Sequence, residues 1–133
     1  DIFETRIYLM FFHFSIILII YKKQMLSFPQ EVYDNLFHCI ENNLRELGFG
    51  DVSVNKKMKD LNKILYDILL KVNKSSENFI MNEKLVKKYF TELDDSNNQK
   101  YSDFNDYFTN FYHFCFEIDP KIVIKEAIKF RIK

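Results

Sequence analysis

Leu44-Arg45-Glu46-Leu47-Gly48-Phe49-Gly50-Asp51-Val52-Ser53-Val54-Asn55-Lys56-Lys57 is the stretch on which the fold of this chain turns. It reads as the end of one helix and the start of another. Upstream, Val32, Leu36, Ile40, Leu44 and Leu47 recur at helical spacing, so one face of that segment is apolar. Gly48 follows the last apolar position, where a left-handed C-cap favours a residue without Cβ. Ser27-Phe28-Pro29 reads as the helix start, with Ser27 or Phe28 as cap and Pro29 in the first turn, where its missing N–H costs nothing. The spacing therefore predicts a helix over 28–47. Downstream, Asp51 or Ser53 is placed to cap the next helix. Its stripe is Val54, Met58, Leu61, Leu65, Ile68 and Val72, a heptad-like rhythm that needs a neighbouring helix. The two helices, joined by a short turn, form an αα-hairpin.

Ahead of the hairpin, Ile7 to Tyr21 is apolar except for His13 and Ser15, and Lys22-Lys23 closes it. A membrane span needs about 20 such residues. A buried core helix is the preferred reading and membrane association the second, because a helix apolar all round must be enclosed by others. Behind the hairpin, Ser76 can cap a fourth helix over 77–94, with a break near Met81-Asn82. Asp94 to Gln99 reads as a loop. A fifth helix over 102–117 opens at Ser102 and is rich in Phe and Tyr, and Asp119-Pro120 starts a short sixth over 120–130. The aromatics of the fifth helix surround much of its circumference, so a buried helix and a partner surface are both open readings. The expected architecture is an all-α, single-domain helical bundle spanning 1–133, with roughly five to six helices around a central apolar one.

Composition narrows the function classes. Nearly half the residues are apolar, and only two are Gly and two Pro, which excludes a disordered chain and disfavours a turn-rich β fold. Formal net charge is zero, so there is no excess of positive charge for a nucleic-acid backbone. With two glycines, a phosphate-cradling loop is all but excluded, and no nucleophile motif or dinucleotide fingerprint is present. The chain reads as non-enzymatic. Cys39 and Cys115 are far apart and read as free, buried thiols on helices. His13, His38 and His113 are isolated, without the i+3 or i+4 partner that a helical metal site wants, so no metal or other cofactor is expected. His13, inside the apolar run, is the weak candidate for a haem or quinone ligand. Lys56, Lys57, Lys59 and Lys63 oppose the apolar stripe of the third helix. A solvated face, a docking face for an acidic or phosphate-bearing partner, and DNA recognition are the three readings of them. The absence of an Arg or Asn/Gln base-reading set counts against DNA.

The pattern L-R-E-[apolar]-G-[apolar]-G-D-x-[S/T]-V followed by a basic pair, here Leu44 through Lys57 and continuing to Met58, Leu61 and Tyr66, resembles the ubiquinol–cytochrome c chaperone family. Upstream, Phe3-Glu4-x-Arg6 leading into an apolar helix with His13 is similar to that family's first segment. The resemblance covers about residues 1–70. The family usually has a glycine at the position of Asn55, and Gly-Arg at the position of Asp67-Ile68. Part of the family's N-terminal region is expected to precede Asp1.

The resemblance implies a non-catalytic assembly chaperone for the cytochrome bc1 complex that binds newly made cytochrome b or another bc1 subunit. An accessory assembly factor and the ribosome are further implied partners. The implied location is the cytoplasm or the inner-membrane periphery of a bacterium, or the matrix side in a mitochondrion. The partner-binding candidates are Arg45, Glu46, Gly48, Gly50, Asp51, Lys56 and Lys57, with Arg45, Glu46, Asp51, Lys56 and Lys57 as a charged rim beside the turn; the alternative reading of these residues gives Gly48 and Asp51 to helix capping and Arg45 to an ion pair within the fold. The alternative is a helical carrier of a hydrophobic small molecule such as quinone or haem.

Overall fold

A computed structural model of the chain describes residues 2–74, 78–90 and 98–117. Five helices run through them: α1 (Ile2–Lys23), α2 (Gln30–Glu46), α3 (Asp51–Lys71), α4 (Glu83–Tyr89) and α5 (Asn98–Glu117). The described residues form no strand, and Asn73 and Met81 make an isolated antiparallel bridge. The all-α bundle expected from the sequence is what forms.

The apolar run becomes the centre of the core. Ile7, Phe11, Phe12, Phe14, Ile16, Ile20 and Tyr21 of α1 are all buried, and Phe11, Phe12 and Ile16 are fully enclosed. α1 lies against α3 and α5, and α2 packs on α3. A helix with so little polar surface gains most by being wrapped, since the gain scales with the apolar area removed from water. By length and composition, Phe3–Lys23 would also suffice to cross a membrane. Phe12 is the aromatic hub, with ring centroids 5.3 Å from Phe90, 6.1 Å from Phe104 and 5.7 Å from Phe108. Truncating such a side chain to Ala costs about 3–5 kcal/mol.

The hairpin forms as read. Ile40 and Leu44 of α2 meet Val54, Leu61, Leu65 and Ile68 of α3 in one buried cluster. The Tyr33 hydroxyl donates to Asn62 Oδ1 at 2.8 Å and ties the two helices. Its capping residues differ from expectation. Pro29, not Ser27 or Phe28, is the N-cap of α2, in extended backbone and without a side-chain hydrogen bond. Gly50 is the N-cap of α3, so Asp51 is the first helical residue and Ser53 lies inside the helix.

α4 is much shorter than the 77–94 helix expected. It starts at the anticipated break: Asn82 is its N-cap, and the Asn82 side chain accepts from the Leu85 N–H at 3.3 Å. Just before it, the chain folds back on the end of α3. Lys74 N–H donates to Ile80 O at 2.8 Å, and Asn82 N–H to Val72 O at 2.9 Å. Those bonds consume the backbone groups that a longer helix would have used. α5 starts at Asn98, one turn before Ser102. Gln99 Nε2 donates to Asp103 Oδ1 at 2.8 Å, an i,i+4 pair that supports this extra turn. Phe108, Phe111, Tyr112 and Cys115 of α5 are buried, while Phe116 is exposed. The Ser76 cap, residues 91–97 and the sixth helix over 120–130 lie outside the described residues.

Candidate functional site: the α2–α3 turn and the groove beside it

The turn closes α2 by a paired hydrogen-bond motif. Gly48 N–H donates to Arg45 O at 3.0 Å, and Phe49 N–H to Leu44 O at 3.3 Å. This is a Schellman cap, and it requires a left-handed residue between its two donors. Gly48 takes that conformation, with φ of 97°. Gly50 has an ordinary extended backbone, φ of −78° and ψ of 170°, and a Cβ added there would touch nothing within 4 Å. Only the first of the two glycines is required by its own backbone.

Arg45 spans the turn. Its guanidinium donates to Asp51 Oδ1 through Nη1 and to Glu41 Oε1 at 3.0 Å through Nη2. Hydrogen bonding to Asp51 first, and to Glu41 second, raises Arg45 above the ordinary guanidinium value. Arg45 and Asp51 therefore act on each other and brace the turn. Glu46 is exposed and makes no ion pair among the described residues.

The lysine pair is split. Lys57 lies half-buried with its ammonium 4.7 Å from the centroid of Phe49, a cation–π contact. Lys56 is exposed on another side of α3. Successive helix residues are about 100° apart, so two adjacent lysines cannot share one face. Of the seven candidates, Gly48, Gly50, Arg45 and Asp51 build the turn, Lys57 meets Phe49 of the turn, and Glu46 and Lys56 are exposed.

Beside the turn opens a groove of about 510 Å³. Phe3, Glu4 and Tyr8 come from α1, and Leu44 and Leu47 from the end of α2. Phe49 comes from the turn, and Lys57, Asp60, Leu61 and Ile64 from α3. Leu47 and Phe49 keep 59% and 37% of their surface exposed, although both are large and apolar. Tyr8, Asp60 and Ile64 carry no motif of their own and are not singled out by the sequence, whereas Phe3 and Glu4 belong to the Phe3-Glu4-x-Arg6 segment. The available signal was that Leu47 and Phe49 flank a C-cap glycine.

His13 is not part of this groove. Its Nδ1 meets Leu9 O at 2.6 Å and its Nε2 meets the Tyr107 hydroxyl at 2.5 Å. The rings of Phe108 and Phe111 lie edge-on to it, each at 4.8 Å. Burial lowers its pKa, partly opposed by the backbone hydrogen bond to Leu9. Both ring nitrogens are committed within the fold, so neither is free to ligate iron. No group of three or more His, Cys, Asp or Glu side chains among the described residues could hold a metal ion. Of the two thiols expected to be buried, Cys115 is buried and Cys39 is exposed, because position 39 falls off the Leu36–Ile40–Leu44 stripe.

Asp67 ties α3 to α4. It accepts from Lys71 at 2.7 Å, from Lys88 at 2.9 Å and from the Tyr89 hydroxyl. The Lys71 and Tyr89 bonds hold its carboxyl far below the usual carboxylate range.

A family model described as Ubiquinol-cytochrome C chaperone matches residues 1–86. That span holds α1, α2, the turn, α3 and every residue lining the groove. No curated protein and no solved structure matches the chain.

Proposed function

The chain belongs to the ubiquinol-cytochrome C chaperone family, and from that premise we propose that it is a non-catalytic assembly chaperone of the cytochrome bc1 complex that binds newly made cytochrome b. The observation that supports this most is the groove. It is open, its lining is mostly apolar, and all of it comes from the family-matched segment. Such a surface suits an apolar segment of a membrane protein before that segment is packed, because burying its side chains against Leu47 and Phe49 removes apolar area from water on both partners.

The braced turn suits the same role. Arg45, Asp51 and Gly48 brace the turn between α2 and α3, so presenting Leu47 and Phe49 costs less backbone ordering on binding. In this reading the client contacts the groove lining, with Lys57 at its rim, and the remaining motif residues position them.

The experiment is co-translational capture. Cytochrome b synthesised in vitro into nanodiscs is recovered with the tagged chain and quantified. The Leu47→Asp/Phe49→Asp variant, checked for native helicity by circular dichroism, is expected to lower recovery at least tenfold. Equal recovery by parent and variant, or no recovery by the parent, overturns the proposal.

A small-molecule carrier is the second reading, since about 510 Å³ is within the range of ligand pockets. His13 offers such a ligand no coordination, and the groove lining contains no histidine.

A further inference from the structure

The outward face of α3 carries a pattern that the groove does not use. Val52, Lys56, Lys59, Lys63, Tyr66 and Leu70 follow one another at spacings of four, three, four, three and four. At about 100° per residue they fall within roughly 40° of one line along the helix, opposite the buried stripe. All six are exposed, with Val52 at 84%, Tyr66 at 50% and Leu70 at 78%. The line is about 27 Å long at 1.5 Å per residue. It is apolar at both ends and cationic in the middle. Lys56, Lys59 and Lys63 make no ion pair or cation–π contact among the described residues. The nearest acids of α3, Asp60 and Asp67, sit to one side: Asp60 lines the groove, and Asp67 is engaged by Lys71, Lys88 and Tyr89.

We propose that this stripe docks a helix of a partner protein whose contact face is acidic at the centre and apolar at both ends. The charge pattern selects that occupant. Three unpaired lysines within two turns attract a matching row of carboxylates and repel a basic helix. A lipid surface fits less well, because a membrane-lying helix keeps its apolar residues central and its lysines at the margins. A nucleic acid fits less well too: the stripe has no Arg, no aromatic between its lysines, and a chain of zero net charge around it. The site is separate from the client groove, so the chain would hold two partners at once.

The test uses a designed probe and the full chain. The probe is a 20-residue helix with Leu near each end and three Glu between them, spaced four and three. Binding is read by fluorescence anisotropy, and the contact is mapped by amide shifts in the labelled chain. The expected result is shift changes along Val52 to Leu70. The Lys56→Glu/Lys59→Glu/Lys63→Glu variant is expected to weaken binding at least tenfold. A probe with Lys in place of its three Glu is expected to bind that variant and not the parent. Leu47→Asp/Phe49→Asp leaves probe binding unchanged, which separates this site from the client groove. The proposal is overturned if the probe does not bind, if a composition-matched probe with its Glu scattered around the helix binds equally, or if the swapped probe fails to rescue. Tighter binding of oligouridylate or anionic vesicles through the same lysines overturns it as well.

Discussion

His13 and Tyr107, 94 residues apart in sequence, share a hydrogen bond that joins the central helix to α5. The partners fix its direction. Leu9 O can only accept, so His13 Nδ1 carries the proton. Burial keeps the ring neutral, and Nε2 is then the acceptor for the Tyr107 hydroxyl. Tyr107→Phe removes that donor and leaves Nε2 without a partner, at a cost of about 1–2 kcal/mol in urea unfolding. The folded ring resists protonation more than the unfolded one. Stability is therefore fully present above the unfolded histidine value of about 6.5 and declines as pH falls through the lower folded value. His13→Gln should flatten this decline between pH 7.5 and 5, measured against the parent.

The two turn glycines should respond differently. Gly48→Ala puts a Cβ on a left-handed residue and should cost about 1–2 kcal/mol. Gly50→Ser should be neutral or gain a few tenths of a kcal/mol, because it supplies the N-cap side chain that α3 lacks. Equal losses at both positions in thermal unfolding would contradict the hydrogen-bond pattern of the turn.

Met25 repeats the Gly48 geometry with the wrong residue. Its N–H donates to Lys22 O and Leu26 N–H donates to Tyr21 O, each near 3 Å, and its φ is 57°. The side chain is 93% exposed and packs on little. Met25→Gly is expected to stabilise the protein by about 1 kcal/mol, the left-handed penalty less the added freedom of the unfolded chain. A fall in Tm on this change would show that the methionine side chain has a contact of its own.

Asp67 should make α4 acid-labile. Its carboxyl is depressed in the fold, so its contribution is present above the unfolded aspartate value of about 3.9 and is lost as pH falls below it. Asp67→Asn removes this dependence and should cost about 1 kcal/mol at neutral pH, since the bonds to Lys71 and Lys88 lie near the surface. Amide exchange is the direct measurement, with protection lost first in α4 and the end of α3.

The two thiols should differ in reactivity. Burial pushes the Cys115 thiol up to about 12, whereas Cys39 is exposed. A maleimide reagent at pH 7 is expected to modify Cys39 promptly and Cys115 only after unfolding. Stoichiometric labelling of both in the native protein would contradict the packing of α5.

Much of the fold was written locally. The α2–turn–α3 hairpin follows from apolar residues three and four apart, a glycine at the left-handed position and short connections. The central role of α1 follows from an apolar run that only burial can accommodate. Each of these depends on neighbours within about one helical turn, which a sequence displays directly. Capping was less legible, because several residues in a row could cap and the backbone chose Pro29 and Gly50. The length of α4 was not legible either, since bonds from Lys74 and Asn82 back to Ile80 and Val72 outcompete helix extension. What only the tertiary structure decided is what faces what. Helix geometry alone turns Lys56 about 100° from Lys57, but that Lys57 meets Phe49 across the turn is visible only in the folded chain. The groove is lined jointly by Phe3 and Tyr8 of α1, Leu47 at the end of α2 and Ile64 of α3, and His13 finds Tyr107 across the bundle. Such relations depend on how distant helices pack and rotate against each other, which no local spacing encodes.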